Sequence, residues 1–280
     1  DGLTVAGNVS VDGGTIKLSG NHPTGSNNVA LGDESFQNIS TGNNNTAVGR
    51  ASLFANTSGG ANTAIGSSAL EANTTASNNT AVGKSALEAN TTGTDNTSVG
   101  YRAGASITTG AYNTAIGRTA LEDATTSSSN TAVGYRALWV NSTGTRNVAV
   151  GRQAADANTS GSDNAVLGDG AYTSGTTGSQ NTAIGKSALA LNTTASNNTA
   201  VGYQAAYSTT TSNRLTVLGQ QAGYGQQTGS ENTYVGYQSG PNTVANASGS
   251  SNTSLGAFSL YSNTTASENT AVGYQALYTN

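Results

Sequence analysis

Asn62-Thr63-Ala64-Ile65-Gly66 is followed seventeen residues later by Asn79-Thr80-Ala81-Val82-Gly83, and the same phrase keeps returning along the chain. With the closing glycine as an anchor, the copies fall at Gly32, Gly49, Gly66, Gly83, Gly100, Gly117, Gly134, Gly151, Gly168, Gly185, Gly202, Gly219, Gly236, Gly256 and Gly273. Each step is 17 residues except that from Gly236 to Gly256, which is 20. Fifteen copies at one period mark a repeat architecture, in which each unit buries its faces against its neighbours.

The columns of this array carry the physics. The residue before the anchor is always aliphatic, from Leu31, Val48 and Ile65 to Val272. Three past the anchor stands Ala or Ser, and one further on Leu dominates, as at Leu53, Leu70, Leu87 and Leu121. Four before the anchor is Asn in fourteen copies, with Leu215 the exception. Alternation puts Thr63 and Ile65 on one face and Ala64 on the other, the period-two pattern of a strand. The β-branched Thr, Val and Ile favour that backbone. The second apolar pair, such as Ala69-Leu70, predicts another short strand, with a helical turn through Ser-Ala-Leu-Glu-Ala as the alternative. Asn-Thr-Thr runs then supply turns. Stacked about 4.8 Å apart, fifteen coils would span roughly 70 Å. Asn62, Asn79 and Asn96 would form a ladder, each side-chain amide bonding to the next. The expected fold is all-β: a parallel β-solenoid of 17-residue coils over residues 24–280, behind a strand-rich lead-in over residues 1–23.

Composition agrees with a stack and excludes several functions. Hydrophobic residues make up 34% and charged residues 9%, against roughly 45–50% and 25% in ordinary soluble domains. Disordered chains share the low hydrophobicity but are rich in charge and proline, whereas this chain has two prolines. A net charge of −4 with no basic run argues against nucleic acid, and the acidic residues form no metal-binding tract. There is no cysteine, hence no disulfide or thiolate chemistry. No apolar run approaches the ~20 residues of a membrane helix, so no membrane insertion by this segment is expected. The chain opens and stops within patterned sequence, and we read it as a piece of a longer polypeptide. Neither cofactor nor metal is expected.

The two apolar columns sit five residues apart and are followed by twelve mostly polar residues. That spacing does not fit a triangular helix of hexapeptides and suits a flattened two-sided roll with a long exposed turn. The calcium-binding nonapeptide roll needs a Gly-Gly-x-Gly-x-Asp pattern that is missing here. The apolar side chains of one coil contribute only a few kcal/mol at about 25 cal/mol per Å². Ordering its residues costs roughly 1–2 kcal/mol each. A single roll therefore looks thin. The small side chains of Ala69, Ala86, Ala103, Ala120, Ala137 and Ala188 suggest close approach of another chain, and we expect a parallel homotrimer with that column at the contact. The alternative is that alanine fits a narrow interior.

The runs Asn62–Gly66 and Asn79–Gly83 resemble the Asn-Ser-Val-Ala-Ile-Gly head repeats of YadA-like trimeric autotransporter adhesins. That resemblance implies a left-handed parallel β-roll assembled as a trimer, although the present coil is longer than that family's. The fuller phrase Asn198-Thr199-Ala200-Val201-Gly202-Tyr203-Gln204-Ala205-Ala206 is similar to repeats in bacteriophage tail fibres. So is the opening Gly2-Leu3-Thr4-Val5-Ala6-Gly7-Asn8-Val9-Ser10-Val11. The resemblance covers residues 24–280. It implies an extracellular fibre, on a virion tail or a bacterial cell surface, that attaches to a host-surface glycan or protein receptor; the alternative is a purely structural extracellular filament without receptor specificity. The lead-in and the tyrosine-glutamine steps lean the reading toward the phage fibre.

Catalysis needs a nucleophile, a base and an orienting group in one pocket. The single histidine, His22, stands beside Pro23 with no such constellation, so no enzyme is expected. Most positive charge falls in the two columns after the anchor: Arg50, Lys84, Arg102, Arg118, Arg136, Arg152 and Lys186, interleaved with Tyr101, Tyr135, Tyr203, Tyr237 and Tyr274. One reading is a ligand-facing stripe, aromatic for sugars and cationic for acidic glycans. The other is that these residues cover strand ends and pair with Glu71, Glu88 or Glu122. The sequons Asn73-Thr74-Thr75 and Asn192-Thr193-Thr194 follow from the turn composition, and no glycan is expected on them. The Thr-Thr pairs also raise ice binding, a weaker reading because they fall in turns. Trp139, beside Val140, reads as local packing. The insertion at Pro241-Asn242-Thr243-Val244-Ala245 reads as a bulged loop and an irregular contact point.

Overall fold

In a computed structural model of the chain, residues 25–38, 41–241 and 247–279 are described. The lead-in with His22 lies outside them, as do residues 242–246 of the insertion. The described residues form one parallel sheet of fifteen three-residue strands, numbered in chain order from β1 (Val29–Leu31) to β15 (Thr270–Val272). Each strand pairs with the next in sequence. Between Thr63–Ile65 and Thr80–Val82 the partners are Thr63 and Thr80, Ala64 and Ala81, Ile65 and Val82, a step of 17 residues. The insertion changes the step to 20 between Thr233–Val235 and Thr253–Leu255 without disturbing which columns meet. The fold is thus an all-β parallel solenoid whose equivalent side chains stack on one another.

Within each strand the alternation has an outcome opposite to a large-residues-inside reading. Ala47, Ala64, Ala81 and Ala115 at the strand centres are fully buried, whereas Ile65, Val99, Ile116 and Ile184 face outward at 36–41% exposure. The interior is narrow, and a methyl group fills the place across from the leucines. The anchor glycines end each strand with φ between 122° and 145°. From Gly32 to Gly256, a Cβ would lie 2.3–2.8 Å from the carbonyl oxygen of the next anchor. Both the torsion and the close approach require glycine there.

The second segment is neither a strand nor a helical turn. Ser68 and Leu70 have φ of 58° and 51°, while Ala69 between them does not take a positive φ. The pattern recurs at Ser85 and Leu87, and at Thr119 and Leu121. Left-handed backbone disfavours such residues by roughly 1–2 kcal/mol each, and coil-to-coil hydrogen bonds offset it. The Ser68 N–H donates back to the Arg50 carbonyl at 2.8 Å, and the Leu70 N–H donates forward to the Ala86 carbonyl at 3.0 Å. This backbone still sends Leu53, Leu70, Leu87 and Leu121 fully into the core.

Nor is the rest of the coil a long exposed turn. From Leu70 onward every third residue points inward: Asn73, Ala76 and Asn79 are buried. The asparagine four before the anchor bonds to backbone along the column, and the expected amide-to-amide ladder runs from Asn96 through Asn113, Asn130, Asn147 and Asn164 to Asn181 at 3.1–3.2 Å. Between Asn62, Asn79 and Asn96 the bonds are to backbone alone. Asn62 Oδ1 accepts from the Asn79 N–H at 3.0 Å, and Asn62 Nδ2 donates to the Ala76 carbonyl at 2.8 Å. A second amide ladder lies in another column, where Asn90 Nδ2 donates to Asn73 Oδ1 at 2.9 Å and Asn73 Nδ2 to Asn56 Oδ1 at 2.8 Å. It stops where Ile107 replaces asparagine, leaving Asn90 Oδ1 without a partner. In Asn130→Ala the buried Asn147 N–H loses its 2.9 Å acceptor. The expected loss is about 1–3 kcal/mol, read from the urea midpoint at unchanged slope. An unchanged midpoint would refute the stabilising role of this column.

Candidate functional surface

A repeating rod offers columns, so the site is sought in what the columns place outward. Among the described residues no group of three or more His, Cys, Asp or Glu could hold a metal, and no helix is long and apolar enough to cross a membrane. Three outward columns follow the anchor, at the first, second and fifth residues after it. Arg50, Lys84, Tyr101, Arg118, Tyr135, Arg152, Lys186, Tyr203, Tyr237 and Tyr274 occupy the first of these, and all are exposed. Arg102 and Arg136 occupy the second, where the left-handed backbone (φ 54° and 56°) turns them toward the fifth.

The sequence stripe therefore divides. Arg102 is held by Glu122, and that hydrogen bond raises its pKa against the opposing effect of burial. Arg136 stacks on Trp139, its guanidinium carbon 3.6 Å from the ring centre, with Asp156 at 3.8 Å. Trp139 Nε1 donates to Glu122 Oε2 at 3.1 Å, so the tryptophan joins two coils. Arg50 pairs with Glu34 at 3.2 Å and Arg152 with Asp169 at 2.8 Å. Arg118 sits between the rings of Tyr101 and Tyr135, 5.9 and 5.8 Å from their centres. Most of these cations are engaged by groups in neighbouring coils, but of the expected partners Glu71, Glu88 and Glu122 only Glu122 is paired among the described residues; the others are Glu34, Asp156 and Asp169. Such exposed pairs contribute little to stability.

The fifth column changes character along the chain, and its tyrosine end went unread in the sequence. It holds Glu71, Glu88, Glu122, Trp139 and Asp156, and then Tyr207, Tyr224, Tyr261 and Tyr278. Tyr207 stacks on Tyr224 with ring centres 5.1 Å apart, and Tyr261 on Tyr278 at 5.0 Å. Its signal was present: a 17-residue spacing of tyrosines that skips only the inserted coil.

The alanine column needs correction. Ala69, Ala86, Ala103, Ala120, Ala137 and Ala188 are all fully buried inside the single roll beside the leucines. The narrow interior consumes their surface, so the column offers none to a second chain. What the chain leaves outward is the aliphatic column before the anchor, including Leu167 at 50% and Leu255 at 49% exposure. The sequons are closed as well, since Asn73 and Asn192 are fully buried.

These features define a class of protein, a parallel β-solenoid of 17-residue coils with one apolar outer column. No family model matches the chain, and neither a curated protein nor a solved structure matches it.

Proposed function

We propose that this chain is a non-catalytic fibre segment, displayed outside a cell or on a virion, that projects attachment contacts toward a host surface. The observation that carries the reading is the unbroken sheet of fifteen strands in sequential order, which makes a stiff projecting element. A homotrimer of parallel copies fits this reading, with the outward Val, Ile and Leu column as the contact in place of the buried alanines. An aliphatic side chain taken fully out of water is worth about 1.5–3 kcal/mol. A row of them in register would then hold copies side by side.

The test is the mass of the recombinant chain in solution by light scattering. Three times the chain mass is expected, falling to one chain when Val99, Ile116 and Val133 are together changed to Lys. These positions face outward, so far-ultraviolet dichroism should be unchanged. A monomeric parent would overturn the trimer, and retained association of the lysine variant would overturn the face. A second reading, ice binding, gains from the same face: Thr63, Thr80 and Thr97 stand beside the aliphatic column in the strands and not only in turns. Thermal hysteresis abolished by the lysine variant would establish ice binding in place of attachment.

A further inference from the structure

The three columns after the anchor differ at the two ends of the rod. From Gly32 to Gly185 they carry both signs of charge, as at Arg50, Glu88, Arg152 and Lys186; from Gly202 to Gly273 no residue in them is charged. Tyrosine, glutamine and one phenylalanine take the place of the ions. We propose that this uncharged end binds a neutral oligosaccharide. The inference rests on the attachment reading above and narrows it to a place and a ligand class.

The rings are held in fixed planes before any ligand arrives. Phe258 meets Tyr237 at 90° with centres 5.2 Å apart, and Tyr274 at 87° and 6.0 Å. Tyr203 and Tyr237 nevertheless keep 44% and 43% of their surface exposed. Beside them runs an amide ladder: Gln238 Nε2 donates to Gln221 Oε1 at 2.7 Å, and Gln221 Nε2 to Gln204 Oε1 at 3.0 Å. Fixed aromatic and amide groups lose little entropy on binding, which is the main saving available to a weak site.

The chemistry selects the occupant. A sugar presents C–H faces that pack on rings and hydroxyls that bond to amides and phenols, and a neutral one needs no countercharge. Nucleic acid requires cations along its backbone, and this end of the columns has none. An acidic glycan would need cations too, and the columns hold none here. Further copies of the chain are assigned to the strand face. Recurrence of the site from coil to coil, about 4.8 Å apart, lets one extended saccharide touch several rungs.

The experiment is retention of the full chain on an array carrying neutral and sialylated oligosaccharides, with labelled bacterial cells bound in parallel. Neutral glycans should be retained at low and high salt. Binding should fall at least about tenfold in Tyr237→Ala/Tyr274→Ala and stay unchanged in Arg118→Ala; tenfold corresponds to about 1.4 kcal/mol. Binding of sialylated glycans alone, loss of binding in Arg118→Ala, or no glycan binding would each overturn the inference. Cells that still bind the tyrosine variant as well as the parent would overturn it too while leaving the attachment reading intact. A parent that binds no cell would remove that reading.

Discussion

Gly134→Ala is expected to destabilise the rod by about 4 kcal/mol or more, at the upper end of single-residue effects. The anchor has φ 131°, and a methyl there would lie 2.5 Å from the Gly151 carbonyl oxygen and 2.7 Å from its carbon. Both obstacles are backbone, so neither can swing aside. Gly170→Ala is the control, since its φ is also positive at 62° but its Cβ would meet nothing nearer than 3.7 Å. The difference between the two variants separates the clash from the torsional strain, which by itself is worth about 1–3 kcal/mol. Because each coil depends only on its neighbours, the central variant should melt in two steps, read by calorimetry. A single transition with an unchanged midpoint would contradict the stacked-anchor account.

The second large effect concerns Tyr234, fully buried at a strand centre where other coils have alanine, serine or, at Val166 and Val217, valine. Room is made by glycine at two leucine positions: a Cβ on Gly223 would lie 2.9 Å from the ring, and one on Gly240 2.5 Å from it. The phenol donates to Gln226 Oε1 at 2.9 Å, and burial pushes its pKa well above the usual value. Tyr234→Ala should cost about 3–5 kcal/mol, the range for deleting a buried ring. Gly223→Leu should be destabilising by clash. Combined, the two return the common alanine and leucine to neighbouring coils, and leucine can take the Gly223 backbone because its φ of 55° is close to the 51° of Leu70 and Leu87. The double variant should therefore recover most of the stability, a strongly non-additive cycle. Denaturant midpoints of the four proteins measure it, and simple addition of the two losses would refute the exchange.

The strand, its register and the anchor were readable because they rest on period-two alternation and on glycine, both of which act locally. The inward direction was not. Val and Ile are larger and more apolar than Ala, so hydrophobicity alone sends them inside, yet Ala64 lies inside and Ile65 outside. Interior width decides this, and width depends on how the opposite wall folds. That wall is the left-handed ladder at Ser68 and Leu70, which neither strand nor helix propensity describes. The period-three inward run at Leu70, Asn73, Ala76 and Asn79 was legible but hidden by the turn-like composition of Asn-Thr-Thr. The tyrosines and cations of the first column are exposed, and the fifth-column tyrosines were legible as a 17-residue spacing, whereas which of these side chains the turn brings together was not.

The hydrogen-bond step of seventeen residues has a consequence for how such a molecule changes over generations. Each coil hands the next the same donors and acceptors, so excising Thr114 to Asn130 would join Asn113 to Thr131 and leave an ordinary junction. Unequal recombination between near-identical copies can thus lengthen or shorten the reach of the molecule in whole units of about 4.8 Å. A loss of sixteen or eighteen residues would throw every later column out of alignment, so the molecule works as a ruler that can be recut only at its own graduations.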